Sequence, residues 1–344
     1  MKIKYNILKL IFLFSILIGC KDIVVQPPES NLNIEDFEAI WSRVDQVYPF
    51  LEFKNIDWDS IHTVYHERVA NAKGDEFYSV MSDLLAELKD GHVYFHTDGG
   101  AEVYPFYPKR YYRDKGGYNP FVVRSYFDKK MKLTDSRSAE YEILPDNIGY
   151  VFLSSFHEYY LVNEFPGIMN YLKNTKGMII DIRQRRGGTP DNVIAVAKWF
   201  ITEPLPFLKL YFLNELTPIQ DIIPESSFQY TNPVVVLING ATFSAGEITA
   251  EVLKHIPTVI AVGDTTGGGS GVGGGKGSTP QEIVSDYYLP SGKLISTPTG
   301  YMERYDGVPF EWNGIIPDVR IVQSVEDAKN GRDFQLEYAI NYLK

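Results

Sequence analysis

PVVVLINGATFSAGEITAEVLKHI, residues 233–256, is the stretch that decides the fold. Its apolar run Val234–Ile238 has the unbroken hydrophobicity of a strand buried on both faces, as in a parallel sheet. Asn239-Gly240 is a turn signal. From Ser244 onward, Ile248, Val252, Leu253 and Ile256 recur at helical spacing. A serine therefore sits where a strand becomes a helix. Its hydroxyl is exposed at the carboxyl end of the sheet, beside the unpaired N–H groups of a helix N-terminus. Hydrolases use this geometry to combine a nucleophile with half of an oxyanion hole. The same pattern also describes an N-cap serine on an ordinary strand–helix unit.

The rhythm repeats on either side. Strands are predicted over 150–156, 177–182 and 259–262, with helices over 164–174, 191–201 and 244–256. This predicts an α/β fold: a mostly parallel sheet with flanking helices and right-handed connections. Ahead of it, Phe37, Ile40, Trp41, Val44, Val47 and Tyr48, then Phe77, Val80, Met81, Leu84, Leu85 and Leu88, fall at helical spacing. They predict a small N-terminal helical subdomain over 34–90, with Asp57-Trp58-Asp59 opening its middle helix and Gly91 as its final cap. The α/β core then occupies 91–344. It begins with a short strand at His92–His96 and continues through short strands and loops over 97–146. Near the end come a hairpin over 287–297, turning at Ser291-Gly292, and an amphipathic helix over 335–343.

The first residues read as a leader. Lys2, Lys4 and Lys9 precede the apolar run Leu10–Ile18, which is too short to span a bilayer and suits a signal peptide over 1–19. Leu17-Ile18-Gly19-Cys20 is similar to the lipobox of bacterial lipoproteins, which implies that Cys20 carries lipid and that 20–33 is a polar tether. Cys20 is the chain's single cysteine, so no intrachain disulfide can form. Without the three leader lysines, 30 Lys and Arg face 44 Asp and Glu, a formal charge of −14. Such acidity argues against nucleic acid as a partner and against membrane binding through a basic surface. The six histidines show no metal-ligand spacing, and no metal or cofactor is expected.

Three separated segments carry a resemblance: Leu88-Lys89-Asp90-Gly91-His92, the run Gly177–Gly188 ending in paired glycines, and Thr242–Glu247 followed by Val262–Gly268. Gly314-Ile315-Ile316-Pro317-Asp318 and the lead-in Asn55–Asp59 also fit. Together they resemble the tail-specific, or C-terminal processing, serine peptidases, closest to the tricorn-core and retinoid-binding-protein-like branch. The resemblance implies a ClpP/crotonase-like core and hydrolysis of peptide bonds in peptide or protein substrates. It implies Ser244 as nucleophile, and the N–H groups of Gly188 and Ala245 as oxyanion donors. Paired glycines suit that role because they lack a Cβ and let backbone approach a substrate.

One branch of this family places a lysine base about 25 residues beyond the serine. That position is Gly269, which cannot take a proton. His92 follows Asp90-Gly91 as in the tricorn-like branch, and imidazole suits general-base work near neutral pH. The resemblance implies a supporting carboxylate, assigned to Glu311, six residues before Pro317, with Glu303 as runner-up. Lys276, beyond the inserted glycines, remains the rival base of a Ser–Lys dyad. A non-catalytic protein binding peptides or apolar ligands on the same scaffold is the alternative function. The leader and lipobox imply a lipid-anchored place in the cell envelope. The protein should sediment with membranes, and Cys20→Ala should release it or leave it unprocessed. Recovery of wild type wholly soluble with a free Cys20 thiol would refute the anchor.

Overall fold

The computed structural model describes residues 29–111, 117–184, 187–273 and 285–344. Helix α1 (Glu29–Val47) begins ahead of the expected Ile34, so the last residues assigned to the tether are helical. Helix α2 (Trp58–Asn71) starts where Asp57 accepts the Ser60 N–H at 3.0 Å, as its acidic opening foretold. Helix α3 (Glu76–Ala86) buries Phe77, Val80, Met81, Leu84 and Leu85. Strands β1 (Tyr94–His96) and β2 (Glu102–Val103), the short helix α4 (Pro120–Arg124) and strands β3 (Lys132–Leu133) and β4 (Ala139–Leu144) follow.

The α/β array then runs β5 (Ile148–Leu153), α5 (Tyr160–Leu172), β6 (Gly177–Asp181) and α6 (Pro190–Ala197). The small strands β7 (Leu210–Phe212) and β8 (Glu215–Thr217) interrupt it. It resumes with β9 (Val234–Ile238), α7 (Ala245–Lys254) and β10 (Val259–Gly263). The last part holds β11 (Gly271–Val272), β12 (Asp286–Tyr288), β13 (Leu294–Ser296), β14 (Gly300–Met302), β15 (Val319–Arg320), α8 (Val325–Lys329) and α9 (Phe334–Tyr342).

Seven strands form the central sheet in the order β15-β10-β9-β6-β5-β4-β3. The pairs from β5 to β15 are parallel, and β4 and β3 are added antiparallel at one edge. Every residue of β5, β6 and β9 is buried, which accounts for their unbroken apolar sequences. Alternate residues feed two cores. Val151, Ile180 and Val236 face the cluster holding Phe165, Val193, Ile248 and Val252, whereas Tyr150, Ile179 and Val235 face Leu336 and Ala339 of α9.

The N-terminal unit does not stop at Asp90. Its core of Phe37, Ile40, Trp58, Tyr65 and Leu85 is continuous with Phe95 of β1 and with Leu289 and Ile295 of the late hairpin. The four-stranded sheet β12-β13-β1-β2 joins them. Asp36 of α1 pins the hairpin turn by accepting from the Ser291 N–H (2.9 Å) and hydroxyl (2.6 Å). This assembly is long-range in sequence, so helical periodicity alone could not reveal it.

Arg183, fully buried just beyond β6, locks the sheet to the C-terminal helix. Its guanidinium meets Asp181 at 2.7 Å, Asp333 at 2.9 Å and Gln335 at 3.0 Å. Removing one member of a buried pair costs about 3–5 kcal/mol, because the carboxylates left behind lose their cation. Arg183→Met should therefore lower the urea midpoint by an amount equivalent to that loss, with an unchanged slope. A midpoint within experimental error of wild type would show that α9 docks without this pair.

Candidate active site

The β9–α7 turn is held by its own side chains. Asn239 accepts the Ala241 N–H (3.0 Å), and Thr242 donates its hydroxyl to the Ile182 carbonyl (3.1 Å) at the end of β6. The turn is thereby tied to the loop that carries Gly187 and Gly188. Ser244 sits at φ 55°, ψ −123°, backbone space that a residue with a Cβ rarely occupies. Such strain persists only where surrounding structure enforces it. Here Glu247 enforces it. Its buried carboxylate accepts the N–H groups of Ser244 (3.1 Å), Gly268 (2.8 Å) and Gly269 (2.8 Å) and the Thr266 hydroxyl (2.5 Å). Burial pushes this carboxyl up to about 7 against those donors, which favour its ionised form.

The Glu247 N–H donates to the Ser244 carbonyl at 2.7 Å, and the Glu247 carboxylate accepts the Ser244 N–H in return. The first helical N–H, that of Ala245, donates to no partner among the described residues. A Cβ built on Gly187 would lie 3.1 Å from the Ser244 Oγ and 3.8 Å from the Ala245 nitrogen. Gly187 is therefore the glycine beside the serine. The next residue, Gly188, has φ +149°, and its Cα is pressed against Phe156, whose carbonyl a Cβ would strike at 1.8 Å. In that bridge the donor is Thr189 N–H, to the Phe156 carbonyl at 2.7 Å. Asn192 fixes Phe156 from behind, donating to its carbonyl at 2.7 Å.

His92 reaches the same wall from another part of the chain. Its imidazole stacks on Phe243, the residue preceding Ser244, with centroids 4.6 Å apart and planes at 30°. Neither ring nitrogen has a hydrogen-bond partner among the described residues. A buried polar pair left open calls for a ligand, a water or a role in chemistry. The charged group near Nδ1 is Asp90, whose Oδ1 lies 3.6 Å away and accepts the His92 backbone N–H at 2.8 Å.

Glu311 does not stand directly on His92. Its Oε1 pairs with Lys54 at 2.6 Å, and its Oε2 accepts the Ser270 N–H at 3.0 Å. Lys54, unnoticed in the sequence, also lies 3.4 Å from Asp90, so Glu311 reaches the histidine only through Lys54 and Asp90. Glu303 belongs to a different neighbourhood, accepting from the Tyr211 hydroxyl at 3.2 Å beside the small β7–β14 sheet. Lys276 and Cys20 lie outside the described residues.

The glycines after β10 have a steric purpose. Cβ atoms on Gly91, Gly267 and Gly269 would come within 2.8, 2.7 and 2.0 Å of the Phe243 ring. At Gly269, where the lysine branch carries its base, no side chain fits while Phe243 is present.

Comparison with known proteins identifies the family. The model of peptidase family S41 matches residues 147–321, just over half of the chain, and that of the tricorn protease C1 domain matches 34–86. The chain belongs to peptidase family S41. It is 30% identical over 160 residues to the carboxy-terminal processing protease CtpA of Bacillus subtilis, covering 45% of this chain and 34% of CtpA. It is 30% identical over 169 residues to tricorn protease homolog 1 of Streptomyces coelicolor, covering 48% of this chain and 14% of that protein. It therefore spans a minor part of these curated relatives. The crystal structure of a presumptive peptidase from Parabacteroides merdae superposes with a TM-score of 0.75 at 26% identity, covering 90% of this chain and 96% of that one.

Gly269→Ala tests the packing around the ring. Overpacking of this kind costs about 1–3 kcal/mol. The variant should lose that much in denaturant unfolding, and the double variant Gly269→Ala/Phe243→Ala should regain a part beyond the sum of the single effects. Strict additivity of the two substitutions would contradict the contact.

Proposed function

We propose that this protein is a serine peptidase in which Ser244 attacks the peptide carbonyl and His92 is the general base. The observation that carries this reading is the Ser244 backbone at φ 55°, ψ −123°, which sets its side chain beside Gly187 and the unused Ala245 N–H. His92 Nε2 takes the Ser244 proton as Oγ bonds to the carbonyl carbon, and the carbonyl electrons move onto oxygen. The resulting oxyanion lies at the amino end of α7, where Ala245 N–H and the positive end of the helix favour it. Gly188 N–H is the second donor of the reading. The protonated imidazole then passes its proton to the leaving amine, and water repeats the sequence on the acyl-enzyme. Catalytic hydrogen bonds often close only around substrate, which is consistent with a His92 ring still uncommitted in the free protein.

The histidine reading is favoured by the stacking of His92 on Phe243, the residue before Ser244. Among substrates, the reading is confined to peptides or proteins. CtpA is described as a carboxy-terminal processing protease, which makes peptide C-termini the first substrates to try. The lipobox-like Leu17–Cys20 segment supports an envelope location with the tether holding the domain near the membrane.

Ser244→Ala and His92→Ala should each lower kcat by about 10⁴-fold or more on a peptide that wild type cleaves, because the two act as one unit. Lys276→Ala should retain turnover. Loss of activity in Lys276→Ala with full activity in His92→Ala would move the base to the lysine. Unchanged turnover in Ser244→Ala would refute the peptidase reading.

A further inference from the structure

Behind His92 lies a closed set of charges. Lys54 comes from the connection between α1 and α2, inside the N-terminal unit. Its ammonium has no exposed surface. It contacts Glu311 Oε1 (2.6 Å), the Tyr48 hydroxyl (2.8 Å), the Leu88 and Lys89 carbonyls (3.0 and 3.2 Å) and Asp90 Oδ2 (3.4 Å). The rings of Phe50, Tyr48 and Trp312 stand 5.2–5.5 Å from it. The Tyr48 hydroxyl accepts from Lys54 and donates to Asp90 Oδ2 at 2.8 Å. The other Asp90 oxygen faces His92.

One cation here serves two fully buried carboxylates. Burying two negative charges with a single positive one is costly, so the set favours keeping one proton. Asp90 has more donors: Tyr48, the His92 N–H and Lys54. Burial raises the Asp90 carboxyl, but the Lys54 charge and the donating His92 backbone N–H, with the imidazole nearby, outweigh it and hold it well below the usual range. Burial and repulsion from Asp90 push Glu311 up to about 8. The negative charge therefore rests on the carboxylate that faces the imidazole.

We infer that Lys54 is a positioning residue for His92: by neutralising and hydrogen-bonding the Asp90 side it keeps Asp90 a carboxylate aligned with Nδ1, so that Nδ1 carries the proton and Nε2 presents its lone pair. The N-terminal helical unit thus completes the site through one side chain. The inference rests on the reading of His92 as general base. It assigns Glu311 the part of a partner to Lys54 rather than a direct support of the histidine.

Lys54→Met alone leaves Glu311 buried without its cation and can fail to fold. The informative variant is Lys54→Met/Glu311→Gln, which replaces both members of that pair and leaves Asp90 without its cation. Its kcat should fall on the order of 10–100-fold, the range for losing a group that orients a histidine. KM should stay within about threefold, since no substrate contact is removed. The tautomer of ¹⁵N-labelled His92, read by NMR in the Ser244→Ala background at a pH where the ring is neutral, should be single Nδ1–H. Adding the two substitutions should turn it into a mixture. This second readout needs no turnover, so it survives a failure of the peptidase reading. Wild-type kcat in the double variant would show that Lys54 serves only to pair Glu311. An unchanged tautomer, with or without loss of kcat, would overturn the inference as well.

Discussion

The fit of the Phe243 ring among Gly91, Gly267 and Gly269 joins three distant parts of the chain. Each glycine would strike the ring if it carried a Cβ. The ring therefore fixes where the 88–92 segment, the β9–α7 turn and the loop after β10 meet. One of its faces receives His92. The residue after it is the strained Ser244. Packing this close has few alternatives, since interiors at crystal density transmit any displacement to their neighbours. The same contact explains why a lysine base has no room at position 269.

Around this contact the polar groups are arranged to hold backbone rather than one another. Glu247 spends both oxygens on N–H groups and a hydroxyl of the turn and the glycine loop. Thr242 and Asn239 bind the turn to the end of β6. The strain at Ser244 is therefore carried by hydrogen bonds outside the reacting groups. The Ala245 N–H and the two nitrogens of His92 are left open. The Lys54 cluster extends the same logic to the histidine side, where a charge rather than a hydrogen-bonded loop sets the geometry.

Much of this was legible in the sequence where the signal is local. Val234–Ile238 and the helical spacing after Ser244 gave a strand–turn–helix, and the structure has β9 and α7 there. The apolar faces of α1 and α3 were equally readable. Strands of two or three residues, such as β2, β8 and β11, are too short to show alternation. Lys54 carries no local signal, because its partners Asp90 and Glu311 lie far along the chain and a lone lysine is usually solvated. The paired glycines were visible, but which of them faces the serine depends on backbone dihedrals that composition does not encode. The hairpin was read, whereas its docking on the N-terminal unit through Asp36 was not, for the same reason of range.

The central claim is that the β9–α7 turn and His92 form one reactive centre around Phe243. The most direct measurement is a crystal structure of the protein after reaction with a fluorophosphonate. The account predicts phosphorus bonded to the Ser244 Oγ, a phosphonyl oxygen accepting from the Ala245 N–H, and His92 Nε2 within hydrogen-bond distance of the adduct while still stacked on Phe243. Ser244 left unmodified, or an adduct with the His92 ring turned away from it, would contradict the account.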